Sequence, residues 1–334
     1  MSSHKQRLLI PGQRGPLMIE PADGGRDLPA FIEANGALVE SCLVEHGALL
    51  FRGFDIGSIE DFERVGASIS PNALEYTYRS TPRTSLGKGV FTTTEYPPDQ
   101  EISLHCENAY QRAWPLKIAF CCLVAPETGG ATQIADMRKV TASLDPDLLQ
   151  RFDRLGVRYV RHYRPYVDIP WETVFQTSDR DELAAFCARS GIEHEWLDGN
   201  TLRTSQTNQG LATHPKTGER VFFNQAHLFH ISNVQPEVAR SLRAMYGERV
   251  PRNTFYGDGS EIPDADLQAV RDAFKAAEMS FPWQPGDVML LDNMQMAHGR
   301  KPFTGSRKVV ATLLDAHAPT AGVDTGEALR ASAH

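Results

Sequence analysis

Residues 102–110 read Ile-Ser-Leu-His-Cys-Glu-Asn-Ala-Tyr, and the core of this stretch, "LHCEN" (104–108), sets a histidine and a glutamate on either side of a cysteine. In a β-strand, residues i and i+2 point to the same face. His105 and Glu107 therefore project together, and Cys106 turns into the opposite layer. Two ligands on one strand make one edge of a metal site, and a third must come from elsewhere. The spacing alone fits equally a histidine beside an unrelated carboxylate.

Working outward, "LKIAFCCLVA" (116–125), "ALLFRGF" (48–54), "GDVMLLDN" (286–293) and "RKVVATLLDAH" (307–317) are strand-like, and "PETGGATQIADM" (126–137) carries a turn between two strands. The spacing predicts a helix over 28–47 ending on Gly47, and another over 58–70 opened by Ser58 with acidic residues in its first turn. Residues 1–25 read as an extended lead-in, and 76–94 as surface loop. The middle changes character. Helices are expected at 145–156, 179–191, 235–247 and 264–279, around a strand pattern at "VRYVRHYR" and extended segments over 200–224. Strands near both ends of one core, with a helical lid insert at about 141–280, give one mainly β domain over 1–317, with a frayed tail at 318–334.

Composition narrows the function classes. A net charge of -8 opposes nucleic acid as the main partner, because phosphate binding needs a basic surface. No apolar run is long enough for a membrane helix, and the N-terminal stretch has no apolar segment of a signal peptide. The five cysteines are odd in number and contain no CxxC, which fits reduced thiols and a cytoplasmic setting.

The third ligand candidate is His298, in "LLDNMQMAHGRKPFTGSRKVV". Two histidines and one carboxylate are the facial triad of non-haem Fe(II) oxygenases, which leaves half of the octahedron for co-substrate and O₂. Nine residues on, Arg307 offers a planar fork for the far carboxylate of a chelating oxo-acid, and Thr132 offers a hydroxyl to the same group. Each alone is an ordinary arginine or strand threonine. A zinc hydrolase using the same three ligands leaves Arg307 and Thr132 without a role. A non-catalytic binding protein on a β scaffold is weakened as a reading by the complete ligand set.

These residues carry a resemblance. "GALLFRGF", "TTTEYPPDQEISLHCENAY", "WPLKIAFCCLVAPETGGATQIADMR", "FNQAHLFHIS", "YGDGSEI" and "WQPGDVMLLDNMQMAHGRKPFTGSRKVV" resemble the taurine dioxygenase-like (TauD/TfdA) family of Fe(II)/2-oxoglutarate-dependent oxygenases, above all its syringomycin-type aspartyl hydroxylase branch. The resemblance implies a double-stranded β-helix (jelly roll) with Fe(II) held by His105, Glu107 and His298, and 2-oxoglutarate held by Thr132 and Arg307. It implies an oxidoreductase that uses O₂ to hydroxylate an unactivated C–H of an amino acid or amino-acid-derived intermediate in natural-product biosynthesis, free or on a peptidyl carrier protein. Desaturation, epoxidation or cyclisation remain alternative outcomes, and a homo-oligomer is compatible. Where much of the superfamily has Asp, Glu107 fits the amino-acid-hydroxylating branch and opposes halogenation, which needs a small residue there. The second arginine of the taurine enzyme is replaced by Ala311, which disfavours taurine as substrate. Substrate contacts are expected from Asn108, Tyr110, Asn224, His227, Arg79 and Arg83, because loops carry specificity. "HLFH" (227–230) places two histidines at i, i+3, but no carboxylate or cysteine completes a second metal set.

Overall fold

A computed structural model describes residues 4–319 except 23, 75–83, 88, 94–95, 166 and 199. An eight-stranded sheet runs in the order His4–Leu8, Leu17–Pro21, Ala48–Phe51, Val288–Asp292, Trp114–Val124, Lys308–His317, Val90–Thr92 and Ser85–Gly87. A four-stranded sheet faces it, in the order Glu278–Met279, Ile134–Asp136, Met296–Arg300 and Ile102–His105. Together they form the double-stranded β-helix, or jelly roll.

The period of two decides which layer each side chain enters. Leu50, Phe120, Cys122, Met289, Leu291, Val309 and Ala311 pack between the sheets with Ile134 and Met296. Their neighbours Leu49, Phe51, Ala119, Cys121, Val288, Leu290 and Val310 pack on the other face against Phe31, Ile32, Leu43, Phe62 and Val65 of the covering helices. Cys121 and Cys122 thus lie in different layers as unpaired, buried thiols. Burial pushes both thiols up, Cys122 to about 11, which removes the thiolate that redox chemistry needs.

Three local expectations change. The helix expected over 28–47 is two, Leu28–Ala34 and Gly36–His46. Asn35 separates them, its side-chain amide donating to the Phe31 carbonyl at 2.8 Å, the competition with the helical ladder that asparagine favours. The predicted stop at Gly47 stands, in a left-handed conformation with φ 73°. The lead-in is built into the large sheet: Leu17–Pro21 pairs in parallel with Ala48–Phe51, and His4–Leu8 adds the edge. In the middle segment the expected strands Val157–Tyr163 and Leu202–Asn208 are joined by two that the pattern did not announce, Glu193–Trp196 and Arg252–Tyr256, in a separate four-stranded sheet. We propose to count 1–317 as one domain, because strands from both ends of the chain share the large sheet. Residues 320–334 of the expected tail lie outside the described residues. Among the described residues, no helix is long and apolar enough to cross a membrane.

One buried ion pair ties the sheet to the turn before Val288–Asp292. Asp287, 1% exposed, accepts from Arg52 Nε at 2.8 Å and Nη2 at 2.6 Å, and from the Gln284 backbone N–H at 2.8 Å. Asp287→Ala leaves Arg52 unpaired in a mostly buried position, so unfolding free energy should fall by about 3 kcal/mol. Urea denaturation with an unchanged slope checks this; a loss under about 1 kcal/mol would show the pair to be dispensable.

Candidate metal centre

The strand Ile102–His105 is shorter than the sequence pattern suggests: it ends at His105, and the chain turns through Asn108 at φ 56°. Glu107 therefore leaves the ladder, and a side chain replaces it. Its backbone N–H donates to Asn293 Oδ1 at 2.7 Å, and Asn293 Nδ2 donates back to the Glu107 carbonyl at 2.9 Å and to the Pro115 carbonyl at 2.8 Å. Asn293 is itself fixed by the turn after Val288–Asp292, where Asp292 Oδ1 accepts from the backbone N–H groups of Met294 and Gln295.

His298 lies in Met296–Arg300, between Ile134–Asp136 and Ile102–His105, in register with His105. The ladder shifts between His298 and Arg300, a bulge at Gly299. A Cβ at Gly299 would run into the Ile102 carbonyl and the Gln133 side chain. Only glycine lets the two ligand-bearing strands approach this closely.

The outcome is convergence: one ligand atom from each of His105, Glu107 and His298 lies within 4.8 Å of the others. That span is little more than two metal–ligand bonds of about 2.0–2.2 Å. His298 Nε2 is 3.6 Å from Glu107 Oε2, and the two imidazole centroids are 4.6 Å apart. His105 Nδ1 sits 2.8 Å from the Ser103 carbonyl, which can only accept, so Nδ1 carries the proton and Nε2 is the nitrogen with the lone pair. Glu107 and His298 are 2% and 5% exposed. A buried carboxylate facing two imidazoles fits a divalent cation. Cys106, beside them in sequence, packs with Leu104, Tyr110 and Trp114, and burial pushes its thiol up.

His105 and His298 line one open cavity together with Thr132, Arg307 and Ala311. Arg307 donates through Nε to the Gly130 carbonyl at 2.9 Å and through Nη2 to Thr132 Oγ1 at 3.4 Å. Burial, then the nearby Arg300, pulls the guanidinium down to about 10, so it stays cationic at neutral pH. Trp283 Nε1 donates to Thr132 Oγ1 at 3.0 Å, a partner the sequence reading missed. Arg300, also on the cavity wall, holds the 96–100 loop by donating to the carbonyls of Tyr96, Pro97 and Gln100. Its place two residues beyond His298 was the available signal.

The expected substrate contacts fare differently. Asn108, Tyr110, Asn224 and His227 do not line this cavity. Asn108 is 1% exposed in the turn, and Tyr110 packs on Tyr159 and Phe229. Asn224 serves the backbone, donating to the Gly210 carbonyl at 2.7 Å and accepting from the Ala226 N–H at 3.0 Å. His227 is turned to the Leu104 carbonyl at 3.1 Å and borders a second cavity, with Ser103, Leu104 and Arg271. Arg79 and Arg83 lie outside the described residues. The two histidines of "HLFH" stay neutral, because burial pushes His227 down to about 3 and His230 to about 4.

Residues 13–313 match the family described as taurine catabolism dioxygenase TauD, TfdA family. The chain belongs to the TauD/TfdA dioxygenase family. Among TauD/TfdA relatives, it is 40% identical over 284 residues to the dapdiamide synthesis protein DdaC of Enterobacter agglomerans, covering 85% of this chain and 86% of that protein. It is 31% identical over 325 residues to a clavaminate synthase-like protein of Arabidopsis thaliana, covering 89% and 93%. Its fold is similar to that of PvcB from Pseudomonas aeruginosa, with TM-score 0.55 and 16% identity over 93% of this chain and 91% of that one. A complex of AAD-2 with Mn(II) and N-oxalylglycine gives TM-score 0.55 at 14% identity, over 95% and 99%.

Proposed function

We propose that this protein hydroxylates an unactivated C–H of an amino acid or amino-acid-derived intermediate, free or carried on a peptidyl carrier protein, in natural-product biosynthesis. As a member of the TauD/TfdA family, the chain is an oxygenase that uses Fe(II), 2-oxoglutarate and O₂. The kinship to a dapdiamide synthesis protein supports the natural-product setting. In this reading His105, Glu107 and His298 hold Fe(II), while Arg307 and Thr132 hold the distal carboxylate of 2-oxoglutarate.

The observation that carries it is the single cavity joining His105 and His298 to Arg307 and Thr132. A ligand bound there can touch the metal at one end and the guanidinium at the other. Bound Fe(II) would supply the redox chemistry that couples decarboxylation of 2-oxoglutarate to oxidation of a C–H bond. The chain's own part is placement. The Ser103 carbonyl holds the His105 tautomer, Asn293 fixes the Glu107 backbone, and Trp283 and Gly130 orient Thr132 and Arg307. Ala311 on the cavity wall is uncharged, so that position offers a sulfonate no cation.

The test is to load the protein anaerobically with Fe(II), add 2-oxoglutarate and O₂ with a panel of free and carrier-bound amino acids, and follow succinate and product mass. A gain of one oxygen on a saturated carbon is expected. Loss of two hydrogens would instead assign desaturation or cyclisation, and oxygen added across an alkene epoxidation. Absence of Fe(II)-dependent 2-oxoglutarate consumption would overturn the reading.

A further inference from the structure

Among the described residues, the strand Ile102–His105 is the edge of its sheet, paired with Met296–Arg300. Backbone carbonyls along a buried edge need donors from outside the ladder. Two side chains of the middle segment supply them. Gln225 Nε2 donates to the Cys106 carbonyl at 2.7 Å, and His227 Nε2 to the Leu104 carbonyl at 3.1 Å. The two carbonyls bracket His105 and abut Glu107. Both donors are buried, at 4% and 2% exposure.

Each donor is held from behind. The Gln225 backbone N–H donates to the Tyr159 hydroxyl at 2.8 Å. The His227 ring stacks on Phe274 of the helix Asp264–Ala276, with centroids 4.7 Å apart at 27°. Arg271 of the same helix donates to the His227 carbonyl at 3.0 Å. Because a carbonyl can only accept, His227 carries its proton on Nε2, and among the described residues Nδ1 has no hydrogen-bond partner.

We propose that Gln225 and His227 are positioning residues for the metal: by gripping the Leu104 and Cys106 carbonyls they set the backbone from which His105 and Glu107 present their ligand atoms. Metal affinity thereby depends on the middle segment as well as on the jelly roll. The inference rests on His105, Glu107 and His298 being the metal ligands. Outer groups that orient metal ligands are typically worth about 10–100-fold in affinity.

The test titrates the metal-free protein with Mn(II), following free Mn(II) by electron paramagnetic resonance, with thermal unfolding of the metal-free form in parallel. Gln225→Leu and His227→Phe should each weaken Mn(II) binding about tenfold or more. His227→Phe retains the stack on Phe274 and loses only the donor. His227→Gln, whose amide reaches a similar place, should restore binding to within about threefold of the parent. Lowered unfolding temperatures with parental Mn(II) affinity would reduce both residues to structural ones and overturn the proposal, as would a His227→Gln variant no better than His227→Phe. If one variant fails to fold, the other decides by the same criterion. Failure of the parent protein to bind Mn(II) would overturn the metal-site reading itself, a separate outcome.

Discussion

His298→Ala should leave a folded protein that neither binds Fe(II) at micromolar concentration nor forms succinate above background. The loss should exceed the roughly 10–100-fold typical of removing an outer partner, because a ligand itself is lost. Folding should survive, since His298 sits mid-strand with backbone pairing to Ile134 and His105 on its two sides. Its ring touches Phe120 at a 5.2 Å centroid distance, so truncation leaves a small void beside an aromatic and takes one imidazole from the Glu107 carboxylate. Glu107→Ala should give the same loss of binding, and it removes a carboxylate that is 2% exposed and held close to two imidazoles. Circular dichroism separates misfolding from loss of metal. Fe(II)-dependent 2-oxoglutarate turnover retained in His298→Ala would remove this residue from the site.

The alternation of side chains along a strand pointed to the pairing of His105 with Glu107, although another geometry delivers it. The strand supporting it is nonetheless shorter than the pattern suggested. What brings Glu107 to His105 is a turn with Asn108 left-handed, locked by Asn293 186 residues away. No local pattern in "LHCEN" announces that lock. The same holds for Trp283 and Gln225, whose roles are hydrogen bonds to atoms far off in sequence. His298 and Arg307 could be picked out, since each is a chemically distinctive side chain beside a strong strand pattern. Two errors were avoidable in principle. The Asn35-Gly36 pair that splits the first helix is a known breaker, and the Leu17–Pro21 run is apolar enough for a strand. Substrate contacts were the least legible part. Asn224 and His227 are polar residues in a distinctive motif, yet folding uses them to satisfy buried backbone, a use sequence cannot tell from binding.

Arg307→Met should weaken 2-oxoglutarate binding to the Mn(II)-loaded protein by about 30-fold or more while leaving the metal-free protein at least as stable as the parent. The two effects move apart because Arg307 is a mostly buried cation whose partners are the Gly130 carbonyl and the Thr132 hydroxyl. Among the described residues, no carboxylate acts on its charge; the groups that do are Arg300, which opposes it, and the Cys122 thiol. Desolvating a cation without a counter-ion costs free energy in the empty protein, so a neutral side chain of similar length relieves that cost. A carboxylate brought in by the co-substrate would supply the missing counter-ion through two parallel N–H···O bonds. Losing one side of such a buried charged pair costs about 2–5 kcal/mol, which corresponds to roughly 30-fold to several-thousand-fold in affinity. Arg307→Lys keeps the charge but not the fork and should fall between parent and Met. In turnover the effect should lie in the KM for 2-oxoglutarate far more than in kcat, because the guanidinium is not among the three converging ligand candidates and would act on the co-substrate's carboxylate rather than at the metal. An unchanged 2-oxoglutarate affinity in Arg307→Met would show that the cavity's cation serves something other than the co-substrate. A variant destabilised in step with its lost affinity would mean that Arg307 holds the Gly130 turn rather than a ligand.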